Sequence, residues 1–345
     1  VDLDAMPRSP GTEARILVTR LRYLGDVILT TPAVAALKAR YPGWEIHYLA
    51  ERPYASILEG NPDLARVIGV PRGGPAVLGA LRDLRRARFS AAIDLFYNPR
   101  SALMLYLSGI PVRAGGARRF RRRLYTHLFR VGPATRSAIG HHVEAMGVFD
   151  VEPRDSLPRI YLSARELESG RELMDRAGGA AAGRTIAMHP GGTWPSKRWS
   201  AESFAALARL ARERLGASTV LVTGPGEEGI VERVRALSEG SARPLPVQSL
   251  RAVASIIAAS GAVVANDGGI LHMAVALGRP TVGVFGPTEP DIWFPYEGRG
   301  PYALVSRHEE CAPCHLHACA RLDCLRLIPP GEVLARLEEV LSWRR

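Results

Sequence analysis

Short apolar runs of strand length alternate along the chain with longer stretches whose apolar residues recur at helical spacing. In the first half the runs are Arg15–Thr19, Glu45–Ala50, Arg66–Val70 and Ala91–Phe96, and helical patterns occupy Asp26–Arg40, Tyr54–Gly60, Ala76–Ala87 and Pro99–Ser108. Strands alternating with helices predict a parallel sheet. Pro32 after Thr31 either opens the first helix as cap plus first residue or kinks one that begins at Asp26.

The alternation pauses at residues 150–163, which carry two prolines and little periodicity, and a linker is expected there. Ser163 and Glu166 then form a capping box for a helix to about Ala177, and Ala177–Gly183 is expected to be a flexible break. Strands follow at Thr185–His189, Thr219–Thr223, Ala262–Ala265 and Thr281–Phe285. Ser200 caps a helix to Leu215, Ile230–Leu237 is helical, Ser249 caps a helix to Ala259, and a helix-compatible run reaches Leu277. Pro329 and Pro330 introduce a last amphipathic helix, Glu332–Trp343. Two such repeats predict an α/β protein of two Rossmann-like domains facing one another across a cleft.

Composition narrows the class. With 345 residues, 47% hydrophobic and 23% charged, the chain suits a soluble globular protein of two domains. Its net charge of +11 comes mostly from arginine, whose planar fork suits phosphates, so nucleic acid, anionic lipid and phosphorylated substrates stay open. The amino end has no basic-then-apolar secretory pattern, and no apolar run approaches the roughly 20 residues that span a bilayer, so a cytoplasmic location is expected.

The chemistry gathers in three loops that end strands of the second half. They are His189–Trp199 (HPGGTWPSKRW), Thr223–Glu228 (TGPGEE) and Asn266–His272 (NDGGILH). Loops at the carboxyl ends of parallel strands converge, and glycine turns at helix starts bring free N–H groups to an anion. Lys197 offers a charge for a diphosphate, Gly192 a backbone donor, Thr193 a hydroxyl, and Glu227 or Glu228 an acceptor for a ribose hydroxyl. The plainer alternatives are a solvated lysine, turn glycines, a capping Asp267 and a core His272.

Three segments, Arg20–Pro42, His189–Ser200 and Asn266–Pro290, resemble glycosyltransferase family 9, the ADP-heptose lipopolysaccharide heptosyltransferases, over about residues 15–343. The resemblance implies a GT-B enzyme with an acceptor-binding domain at 15–155 after a disordered lead-in at 1–14. A linker and connecting helix at 156–183, a nucleotide-sugar domain at 184–328 and a C-terminal helix at 329–345 would complete it. By position, Asp26 matches the family's catalytic aspartate, against the alternative that it is a helix N-cap. Thr193 and Lys197 match contacts to the donor diphosphate, Lys197 also stabilising the departing charge. Asp267, Gly268, Gly269 and His272 match a D-[ST]-G-x-x-H donor loop, and Gln248 falls where the family contacts adenine or ribose. Gly268 departs from the usual Ser or Thr. The implied reaction is inverting transfer of heptose from ADP-heptose to a lipopolysaccharide-core-like acceptor, without a required cofactor since no D-x-D motif is evident. The same chemistry on a protein or small molecule, or with another nucleotide sugar, is the alternative.

Two features lie outside those loops. Arg118–Arg130 holds six arginines, among them Arg118, Arg119, Arg121, Arg122 and Arg123, interleaved with Phe120, Leu124, Tyr125, Leu128 and Phe129. It suits a solvated helix face, nucleic acid or, with a glycolipid acceptor, the anionic surface of the inner membrane. Cys311, Cys314, Cys319 and Cys324 have the spacing C-x2-C-x4-C-x4-C, which either closes a structural zinc or iron site or leaves reduced thiols. A nucleic-acid-binding protein built on these two features is the rival from another class.

Overall fold

The computed structural model describes residues 14–116, 119–153, 156–177, 185–307 and 311–343. The expected lead-in, apart from Ala14, and the expected break beyond Ala177 lie outside them. The chain divides after Tyr161 into two compact units.

The first unit holds a parallel sheet of β1 (Arg15–Thr19), β2 (Glu45–Glu51), β3 (Arg66–Val70), β4 (Ala91–Asp94), β5 (Val112–Gly116) and β6 (His127–Phe129), ordered β3-β2-β1-β4-β5-β6. In the second unit β7 (Thr185–His189), β8 (Ser218–Leu221), β9 (Ala242–Pro244), β10 (Ala262–Asn266), β11 (Thr281–Phe285) and β12 (Tyr302–Ser306) are ordered β12-β11-β10-β7-β8-β9. Numbered from its own first strand, each sheet runs 3-2-1-4-5-6, the doubly wound order. The order reverses between β1 and β4 and between β7 and β10. Loops leaving those strands flank the crevice where such sheets bind ligands.

Central strands are covered on both faces, so their interiors are apolar and polar residues stand only at their ends; β7, β10 and β11 are buried at every residue. The outer strands β5, β6, β9 and β12 were not expected from the sequence. β9 shows why: it is Ala-Arg-Pro with Arg243 and Pro244 exposed, a proline that only an edge tolerates.

The Pro32 question resolves into parts of both alternatives. One helix spans Leu24–Leu29, and a second, Thr31–Arg40, opens with the proline in its first turn. Helix Ala164–Arg176 belongs to the second unit and packs on helix Leu250–Ala259. A Cβ on Gly170 would lie 2.2 Å from the Ser255 carbonyl oxygen, so the helices meet backbone to backbone there. Glu166 closes its capping box and accepts two hydrogen bonds from Arg251, at 2.7 and 2.6 Å.

The arginine stretch is not one helix. Arg119–Leu124 forms a 3-10 turn and His127–Phe129 is the edge strand β6. Tyr125 and Phe129 are buried, and the Tyr125 hydroxyl donates to Asp94 at 2.7 Å, so these aromatics pack inward instead of serving as interfacial anchors. Arg122, Arg123 and Leu128 are exposed and Arg121 is half-buried; Arg118 and the Arg119 side chain lie outside the description. Among the described residues no helix is long and apolar enough to cross a membrane.

Candidate active site

In the second unit, the loop leaving β7 is tied down from two sides. Asn266, at the end of β10, donates to the carbonyls of Pro190 and Gly191 at 3.0 and 2.9 Å and accepts from Trp199 N at 3.0 Å. Glu227 accepts from Gly192 N and Gly224 N, both at 2.8 Å, and lies 2.9 Å from His189 Nε2. A Cβ on Gly191 or Gly224 would fall 2.1 or 2.6 Å from that carboxylate, so glycine makes room for it. Burial pushes the Glu227 carboxyl up, but the His189 contact and the two backbone donors outweigh it and hold it below the usual carboxylate range. Glu227 thus braces two loops with both oxygens, whereas Glu228 is exposed at the start of helix Glu228–Leu237.

Lys197 ends the 3-10 turn Pro195–Lys197, and its Nζ lies 2.5 Å from Asp267 Oδ2. The same oxygen accepts from Thr288 Oγ1 at 2.5 Å. Lys197 is 15% exposed and Asp267 3%, so the pair is largely withdrawn from water. Its members come from loops on either side of the β7/β10 reversal. Arginine otherwise carries nearly all the positive charge, since the chain has two lysines, Lys38 and Lys197. The compact ammonium sits 4.6 Å from the Trp194 ring centroid.

Gly268 and Gly269 are half-buried where helix Gly269–Ala276 begins. The first N–H groups of a helix have no intrahelical acceptor and favour anions. Gly268 has extended backbone, φ 179°, and a Cβ there would meet nothing closer than Asn266 O at 3.8 Å. Nothing in the fold therefore demands glycine where Ser or Thr was expected. His272 is buried, with Nδ1 3.0 Å from the Tyr296 hydroxyl. Thr193 is exposed and Gln248 half-buried ahead of the Ser249 cap. Among the described residues neither they nor Glu228 hydrogen-bond to the Lys197–Asp267 pair. Thr288 was not anticipated; its signal was a hydroxyl three residues past the end of β11, in Gly-Pro-Thr.

The cysteine-bearing segment borders this site. Cys314 N and His315 N donate to Pro287 O at 3.1 and 3.0 Å, and Ser196 N donates to His317 O at 3.2 Å. The Ser196 hydroxyl donates to Leu316 O, and Trp194 stacks on His317 at 3.9 Å. Cys311 is exposed, Cys314 and Cys319 are intermediate and Cys324 is buried, and all four line one cavity of about 180 Å³. Among the described residues no three His, Cys, Asp or Glu side chains are grouped to hold a metal ion. The thiols as arranged do not fit a chelating site.

In the first unit, Asp26 is not the N-cap. Tyr23 holds that position and Asp26 is the third helical residue, accepting from Tyr23 N at 3.1 Å through Oδ2. Its other oxygen is ion-paired with Arg20, which also donates to Leu95 O at 2.8 Å and lies over Phe96. The loops after β1 and β4 meet through this guanidinium. Asp94, at the end of β4, was not anticipated: buried, it accepts from Phe96 N, Tyr97 N and Tyr125, while burial pushes its carboxyl up. Its signal was an acid closing an apolar run.

The family model for glycosyltransferase family 9 (heptosyltransferase) matches residues 77–324. Lipopolysaccharide heptosyltransferase 1 of Pseudomonas aeruginosa is 32% identical over 322 residues, covering 88% of this chain and 87% of that protein. The crystal structure of a family 9 glycosyl transferase from Veillonella parvula superposes with a TM-score of 0.80 at 25% identity, covering 95% of this chain and 97% of that one. ADP-heptose lipopolysaccharide heptosyltransferase II of Escherichia coli gives 0.78 at 24%, covering 95% and 98%. The two Rossmann-like units match the GT-B fold of those structures. With a model match over most of its length, and with Lys197 and Asp267 paired at a strand-order reversal, the chain belongs to glycosyltransferase family 9, the heptosyltransferase family.

Proposed function

We propose that the protein is an inverting glycosyltransferase that moves heptose from ADP-heptose to a hydroxyl of a lipopolysaccharide-core-like acceptor. The observation that carries this reading is Lys197 held by Asp267 beside the helix start at Gly268 and Gly269, in a chain of this family. As the bond from the anomeric carbon to the diphosphate breaks, its electron pair leaves with ADP. An ammonium and unpaired N–H groups stabilise that growing charge more in the transition state than in the bound donor. Asp26 takes the proton of the acceptor hydroxyl while its oxygen attacks the face opposite the leaving group, which inverts the centre. The Thr193 hydroxyl completes the diphosphate contacts, the expected Gly192 N–H being already given to Glu227; His272 lines the donor loop, and Gln248 with Glu227 or Glu228 serves the nucleoside. No step is assigned to zinc or iron.

The same proposal puts the protein in the cytoplasm, peripheral to the inner membrane, where the exposed Arg122 and Arg123 meet anionic lipid. The test offers ADP-heptose, and UDP- and GDP-sugars, with and without a lipopolysaccharide-core acceptor lacking the heptose. The expected result is ADP released only with acceptor, and product heavier by one heptose. Turnover confined to a UDP- or GDP-sugar overturns the donor, and heptose found on a protein or small molecule instead overturns the acceptor.

A further inference from the structure

We propose that the segment Cys311–Cys324 is a strap that positions Lys197, with His317 and Ser196 as its positioning residues. A three-residue 3-10 turn has little hydrogen bonding of its own, so Pro195–Lys197 depends on what it packs against. Both residues that frame Lys197 are fastened to the strap. Ser196, fully buried, gives its backbone N–H to His317 O and its hydroxyl to Leu316 O. Trp194, whose ring carries the Lys197 ammonium, stacks on the His317 ring with 27° between planes.

The strap also reaches the other member of the ion pair. Cys314 N and His315 N hold Pro287 O, the residue before Thr288, and Thr288 donates to Asp267. At the strap's far end, Cys324 and Leu325 are sunk in the core cluster shared by the second sheet and helix Pro330–Ser342. One short segment, anchored in the core, therefore bears on Lys197 through Ser196 and Trp194 and on Asp267 through Pro287. Its displacement changes where the ammonium sits. The effect on ligand binding rests on the reading of Lys197 as a diphosphate contact; the hold on Lys197 does not.

The test uses two readouts. Lys197 and Lys38 are the chain's two lysines, so competitive acetylation read by mass spectrometry reports the Lys197 amine with Lys38 as internal reference. His317→Ala is expected to speed Lys197 labelling relative to Lys38 by about two- to tenfold, the range of a lost ring stack. It should weaken ADP by a similar factor while adenosine changes less than about twofold. His317→Phe, which keeps a ring, should restore both. In a Lys197→Ala background, His317→Ala should add almost nothing to the loss of ADP affinity. Should His317→Ala fail to fold, Ser196→Ala reads the same coupling. Unchanged Lys197 labelling in the folded variants, or no rescue by Phe, overturns the strap. Faster labelling combined with undiminished ADP affinity in Lys197→Ala leaves the strap standing and removes the diphosphate reading instead.

Discussion

Arg20 and Asp26 form an ion pair across the turn that follows β1, and the same guanidinium donates to Leu95 O beyond β4. The proposed base is thus held by a cation on one oxygen and by Tyr23 N on the other. Asn at 26 keeps the shape and one acceptor for Tyr23 N but cannot take a proton. Asp26→Asn should lower kcat by about 10² to 10⁴ while ADP affinity stays within a few fold. Steady-state turnover close to wild type would return Asp26 to a purely structural role in its helix turn.

Gly268→Ser should be tolerated. The backbone there is extended and the space beside it open, and a serine at an N-cap is better than glycine by a few tenths of a kcal/mol. The hydroxyl should also tighten ADP. Melting curves with and without ADP check both, and a lower melting temperature would contradict the open space.

Glu227→Gln should destabilise the second unit by about 1 to 3 kcal/mol. An amide cannot accept from Gly192 N and Gly224 N on both of its heavy atoms, because one of them is itself a donor. Urea denaturation reads the loss, and a stability within error of wild type would show the brace to be dispensable.

Glu166 sets an acid limit on the second unit. The Arg251 guanidinium, with help from Ser163 and against burial, lowers its carboxyl from 4.5 to about 2. A folded-state value below the unfolded one means stability that is fully present above about pH 4.5 and lost as pH falls from there toward 2. Glu166→Gln should therefore flatten the pH dependence of stability across that window. An unchanged acid limb in pH-dependent melting would rule the pair out as its source.

The thiols should react in order of exposure. Cys311 is exposed, whereas burial and the neighbouring thiols push the Cys324 thiol up. Alkylation followed by peptide mapping should find Cys311 modified first and Cys324 last. Stoichiometric zinc or iron in purified protein, with chelation lowering the melting temperature, would mean that the segment rearranges to bind metal.

The centre of each sheet was legible in the sequence because buried parallel strands are apolar except at their ends, as in Ala262–Asn266 and Thr281–Phe285. Edges carry no such constraint, so β6 was hidden in an arginine run and β9 in Ala-Arg-Pro. Lys197, Asp267 and Gly268 could be found because each stands at the end of a strand in a glycine-bearing loop. The groups that hold them could not. Thr288 comes to Asp267 from 21 residues away and Leu316 to Ser196 from 120, separations that local periodicity does not encode.

Each sheet completes its own strand order without borrowing a strand from the other half. During synthesis the first sheet can therefore close while the second is still being translated, because every pairing it needs lies upstream of Tyr161. Slow non-local parallel pairing is then confined to segments of about half the chain, which shortens the time that inner strands such as β1 and β4 stay unpaired and open to aggregation.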